Sequence, residues 1–220
     1  MRAPSLALAG GLAVCAGLSP VSAGTHQDVV VGDFAAGSLS GWHEKVFKGK
    51  TRYELVPSDT GMVLRADSQA SASGLFREMK VDLDKTPCLT WSWKVDGILD
   101  GLDETTKAGD DYPARVYVVF SGGLAFWNTR AINYVWSAGR PLGSSWPNAY
   151  TSQSVNVAAQ SGPKNVGQWV SQSRNIRDDY ETLIGGQAPQ VDAIAIMSDS
   201  DDSGRSAKAY YGNVRFTPSC

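Results

Sequence analysis

Histidine is almost missing from this chain: among 220 residues there are two, His26 and His43, both toward the N-terminus. A Ser-His-Asp triad or a histidine-based zinc site therefore has little to be assembled from. Neither a glycine-rich phosphate loop nor a helical H-E-x-x-H signature occurs. Charge is in short supply as well, at 19% of residues with a net of −2. No basic cluster interleaves with aromatics, so the sequence lacks the footprint of a nucleic-acid-binding protein. Repeats, low-complexity tracts and interdomain linkers are also lacking. Carboxylates are plentiful, yet no spacing singles out the acid/base pair of a glycosidase or a Tyr/Arg/Lys lyase set. No catalytic residue and no organic cofactor is expected.

Long apolar runs are equally scarce. One, at 6–18, follows Arg2 and precedes the small-residue site Val21-Ser22-Ala23. It is too short for a bilayer and has the three parts of a secretory signal, so 1–23 is expected to be cleaved. What remains, 24–220, is expected to be one exported domain, periplasmic or extracellular, with no membrane span. Cys15 lies inside the signal core behind Val14, a poor residue to precede a lipidated cysteine. Cysteine is otherwise confined to Cys88 and Cys220. In an oxidising compartment such a pair is expected to form a disulfide, tying the tail to the strand that Cys88 opens, with two unpaired thiols as the alternative.

What the chain does have is short β-rich runs punctuated by Gly, Asp, Ser and Pro. They lie at 28–34, 53–56, 62–66, 75–81, 88–95, 114–120, 132–136, 154–157, 193–197 and 207–216. In 89–95 (LTWSWKV) the large apolar residues take odd positions and Thr90, Ser92 and Lys94 the even ones, the period of a strand with one buried face. About ten strands at this spacing predict an all-β fold, a two-sheet antiparallel β-sandwich of jelly-roll, galactose-binding-like or concanavalin-like type. One short helix is expected at 176–184, where Ile176, Tyr180, Leu183 and Ile184 share a face and Gly185-Gly186 ends it. Two long loops, 96–113 and 137–150, are candidates for function.

Several segments carry a resemblance. The run 109–120 (GDDYPARVYVVF), then 131–136 (AINYVW), Trp169 with 174–180 (RNIRDDY), and the closing 193–216 resemble the bacterial family named domain of unknown function 3047, over roughly residues 30 to 216. That resemblance implies an exported or envelope-associated β-sandwich, similar in outline to carbohydrate-binding modules. It brings no catalytic residues.

Three constellations offer chemistry. Asp199, Asp201, Ser203 and Gly204 stand at positions one, three, five and six of a D-x-D-x-S-G loop, where alternate oxygens converge on a hard cation such as calcium. The glutamate of position twelve is missing, since Tyr210 stands there, so Asp110 or Asp111 would have to complete the shell. The plain alternative is a hairpin turn whose Asp side chains cap amides. Next, Asp110, Asp111 and Arg115 suit the paired hydroxyls of a sugar or, as the stronger reading for Arg115, a buried ion pair. Arg174, Arg177, Asp178 and Asp179 form a similar group at the helix start. Third come the tryptophans. Trp91, Trp93, Trp136 and Trp169 are expected in the core and Trp42 at its edge. Trp127 and Trp146, in turn-rich segments, are candidate stacking platforms, flanked by Tyr112 and Tyr150. The favoured expectation is non-catalytic recognition of a glycan or envelope polysaccharide. The alternatives are a polysaccharide-cleaving hydrolase or lyase and a structural module whose partner is a protein.

Overall fold

The computed structural model describes residues 27–59, 61–122 and 128–220. The expected signal segment, Cys15, His26 and Trp127 lie outside them. In chain order the strands are β1 (Val29–Gly32), β2 (His43–Lys48), β3 (Arg52–Ser58), β4 (Gly61–Gln69), β5 (Ala72–Val81), β6 (Cys88–Val95) and β7 (Arg115–Phe120). There follow β8 (Arg130–Ser137), β9 (Ser145–Pro147), β10 (Ser154–Ser161) and β11 (Val170–Asn175). Helix α1 (Ile176–Leu183) precedes β12 (Val191–Asp199), β13 (Ser206–Tyr211) and β14 (Val214–Thr217). No helix among the described residues is long and apolar enough to cross a membrane.

These strands form two seven-stranded sheets. In the first, β6 is flanked along one edge by β11 and along the other by β13 and β14, placed end to end. Beyond those two lie β4 with β3, and β1. The second sheet runs β2-β5-β12-β7-β8-β10-β9. Every ladder is antiparallel except β8 with β10, which is parallel.

The sandwich follows from the alternation. Trp91, Trp93 and Val95 of β6 point inward and are buried, and Val116, Val118, Phe120, Tyr134 and Trp136 meet them from the second sheet. The Trp93 ring lies 6.0 Å from that of Trp136, and Trp91 lies 5.4 Å from Tyr134. Trp42 packs at the edge against Phe34. Trp169, expected in the core, is instead 40% exposed, because it precedes the edge strand β11. The helix begins where expected: Asn175 caps it by accepting the amides of Arg177 and Asp178. Arg174 forks onto Asp179 at 2.9 and 2.6 Å and Tyr134 donates to the same carboxylate, which docks α1 against the sheets. The expected disulfide is present, Cys88–Cys220, across 132 residues of sequence.

The run 207–216 is two strands, broken at Gly212-Asn213. Three strands have no counterpart in the sequence reading, for a common reason. β2 is exposed along its whole length, β9 is three residues with a proline, and β11 (VSQSRN) is a polar edge strand. None shows apolar alternation.

Candidate functional site

The outer face of the second sheet gathers nearly all the residues that the sequence singled out. Arg115, at the start of β7, donates from Nε to Asp199 Oδ1 at 2.8 Å and from Nη2 to Asp199 Oδ2. From Nη1 it reaches Asp110 Oδ2 at 3.3 Å and Tyr117 at 3.0 Å, and its plane lies over the Tyr112 ring. Asp110 also accepts from Asn148 and Asn156. Arg115, Asp110 and Asp199 are at most 4% exposed. Burial would lower the guanidinium, but the charges of Asp199, Tyr117 and Asp110 hold it well above its ordinary value. Burial pushes Asp199 up to about 8, with Asp110 and Asp111 adding to the rise and Arg115 opposing it. This is the buried ion pair of the two readings, with no surface on which to meet a sugar.

Trp146 corrects the sequence reading. It is 5% exposed and donates its indole N–H to Glu104 O at 3.0 Å, with Arg140 over one face. Together with Tyr112, Val135 and Ala158 it forms a second small core beneath the 96–113 loop. Glu104 fastens that loop, accepting the Ser137 hydroxyl and the Ala138 amide. A tryptophan so covered is not a stacking platform. Trp127 lies outside the described residues. Tyr150 is exposed, with its hydroxyl on Asp202 at 2.6 Å and Lys107 over its ring.

The expected cation set is corrected too. Asp199 turns inward to Arg115, away from Asp201 and Ser203. Asp111, which is buried, accepts the amides of Asp202 at 3.2 Å and Ser203 at 2.6 Å, so it caps the turn. Among the described residues, the carboxylates that do converge are Asp111, Asp201 and Asp202, each offering an oxygen within 4.8 Å of the others. That is a hard-cation donor set. Burial raises Asp201, and Asp202 and Asp111 add to it, against Lys48.

A different surface is open. On the outer face of the first sheet the even positions of β6 form a row, Thr90, Ser92 and Lys94, pointing away from the core. Register places Ser173 and Arg215 on either side of Thr90, Ser171 beside Ser92, and Tyr210 beside Lys94. Trp169 lies across Lys94, whose ammonium is 5.8 Å from that ring and 4.4 Å from the Tyr210 ring. Between β13 and β14, Gly212 leaves the row open; a Cβ there would meet Ser92 Oγ at 2.2 Å. The result is a groove of about 410 Å³, open to solvent, with Thr90, Ser92, Ser171, Ser173, Asn213 and Arg215 in its lining. Its polar row was visible in the alternation of 89–95, but the strand that walls it, β11, was not.

Solved structures with some similarity to this chain include the glycoside hydrolase domain of Endo-D from Streptococcus pneumoniae (TM-score 0.41, 9% identity, 80% of this chain). The match spans 22% of that solved chain. The carbohydrate-binding module CBM27-1 of Caldicellulosiruptor saccharolyticus, solved with mannohexaose, has a TM-score of 0.42 at 13% identity, over 87% of this chain and 97% of that one. The carbohydrate recognition domain of Emp47p has a TM-score of 0.45 at 9% identity, over 88% and 95%. No curated protein matches the chain. A family model does match, over residues 40–215, taking in most of both sheets, the buried arginine and the groove: the chain belongs to the protein family of unknown function DUF3047.

Proposed function

We propose that this protein is exported and recognises a glycan without cleaving it, the sugar chain lying in the groove over β6. The groove's lining carries the reading. Hydroxyl and amide groups both donate and accept, which suits ring hydroxyls, and Trp169 offers part of an aromatic face beside them. The lining holds no carboxylate, so an acid/base pair of the glycosidase kind has no member there. The disulfide fits an oxidising compartment.

A polysaccharide panel tests this. Purified protein should show saturable binding with no shortening of the polymer, and Trp169→Ala should weaken binding by up to about tenfold, the scale of one aromatic contact. Chain cleavage, or native affinity in the variant, would overturn the assignment.

The same reading includes a structural calcium ion held by Asp111, Asp201 and Asp202. The crowding of three carboxylates supports it. Calcium at about 100 times its dissociation constant should then raise the unfolding free energy by roughly 2.7 kcal/mol. A melting curve unmoved by calcium or chelator removes the ion from the account.

A further inference from the structure

We infer that the glycan this groove takes is anionic, its acid groups met by Arg215 at one end and Lys94 at the other. This rests on the recognition reading above and narrows it. Most cations on this face are already engaged: Arg52 and Arg65 both hold Glu54, and Lys208 faces Asp67 at 3.8 Å. Lys94 is different. Its described partners are the two ring faces of Trp169 and Tyr210, and no described carboxylate pairs with it. Among the described residues, the ion pair of Arg215 is a long contact, 3.6 Å, to Asp28, and both side chains are more than 40% exposed. Such a pair is weak and easily exchanged for a ligand.

The two cations differ in what they offer. The guanidinium is a planar fork that matches a carboxylate or sulfate in two hydrogen bonds, while the ammonium is a point charge. Arg215 sits beside Thr90, four residues along β6 from Lys94. At the rise of a strand that separation is roughly 13 Å. The cations therefore address acid groups on separate units of one chain, with the Ser and Thr hydroxyls between them free for neutral ring positions. No carboxylate lines the groove between the two cations; the nearby ones are Asp28 at Arg215 and Asp96, which accepts from the Tyr210 hydroxyl beside Lys94.

Paired polymers of one backbone test the inference: polygalacturonate against its fully methyl-esterified form, and dextran sulfate against dextran. The two pairs separate carboxylate from sulfate as the group recognised. The expected result is that the acidic member of at least one pair binds tenfold or more tightly than its neutral partner. That preference should disappear in Lys94→Met with Arg215→Gln, two surface changes whose unaltered melting point shows the fold intact. Equal saturable binding to both members overturns the anionic inference and leaves glycan recognition standing. An acidic preference that survives both substitutions also overturns it, since the charge contact then lies elsewhere. Binding to no member of either pair overturns it too. If the wider panel is also blank, the recognition reading falls with it.

Discussion

Arg115→Met is expected to lower the unfolding free energy by about 3–5 kcal/mol, the cost of removing one partner from a buried ion pair. The side chain holds five hydrogen bonds to Asp199, Asp110 and Tyr117 and is 1% exposed. Methionine fills the space but leaves the buried carboxyl groups of Asp199 and Asp110 without the donors that satisfy them. Denaturant unfolding followed by tryptophan fluorescence reads the loss directly. The companion variant, Arg115→Met with Asp199→Leu, should recover much of it, because a buried pair replaced as a whole by apolar groups often costs little. A single-variant loss under about 1 kcal/mol, the level of a surface pair, would mean that the network is not the keystone of this face.

The pH dependence has a fixed sign. Burial raises Asp199 to about 8, against an ordinary aspartate near 3.9. Between those values the folded state binds more protons than the unfolded chain. The stability contribution of this group is therefore fully present below about pH 4 and is lost as pH rises through about 8. Without Arg115, which opposes the rise, the loss extends to higher pH, so the deficit of the variant relative to the parent should widen as the medium is made more alkaline than about pH 8.

Breaking the Cys88–Cys220 bridge should have an effect of comparable size. The bond spans 132 residues, and for a loop of that size the chain-entropy account gives about 5 kcal/mol, with native bridges typically contributing 2–5. Its position makes the loss local at first. Cys88 faces Thr217 in the ladder of β14, a four-residue strand held between β6 and β1. With the tail released, β14 should fray and expose Phe216, which is fully buried in the intact protein. Unfolding midpoints with and without reductant, and for Cys220→Ser, test this. An unmoved midpoint would show that β14 is held by its ladders and core packing alone.

Much of the frame could be read from residues because burial writes itself into alternation. Strand β6 was legible to the residue, since its tryptophans and valine occupy one face and short polar residues the other. The buried Arg115 with Asp110 was legible as an ion pair, because a charged residue opening an apolar strand needs a partner. That the main partner is Asp199 was not, since the two are 84 residues apart and meet only through the β7–β12 ladder. Trp146 misled because a turn-rich neighbourhood says nothing about what folds over it. Here the 96–113 loop does, with its backbone carbonyl at Glu104. Trp169 misled in the opposite sense. Its apolar neighbours suggested the core, yet it precedes a strand whose serines face solvent. The groove escaped notice because one wall is β11, whose polar sequence carries no periodic signal.

The end-to-end arrangement of β13 and β14 beside β6 has a consequence for how the molecule is made. Strand β14 lies between β1 and β6, so the edge of the first sheet joins segments from nearly opposite ends of the described chain and its interior joins 88–90 to 215–217. Such high contact order slows folding, and the entropy of closing these loops is lost before the contacts can compensate. A nascent chain cannot complete this sheet until residues 214–217 have emerged, so the first sheet stays unfinished until synthesis is nearly over. That delay would suit the export proposed above, in which the chain passes a translocation pore before it becomes compact.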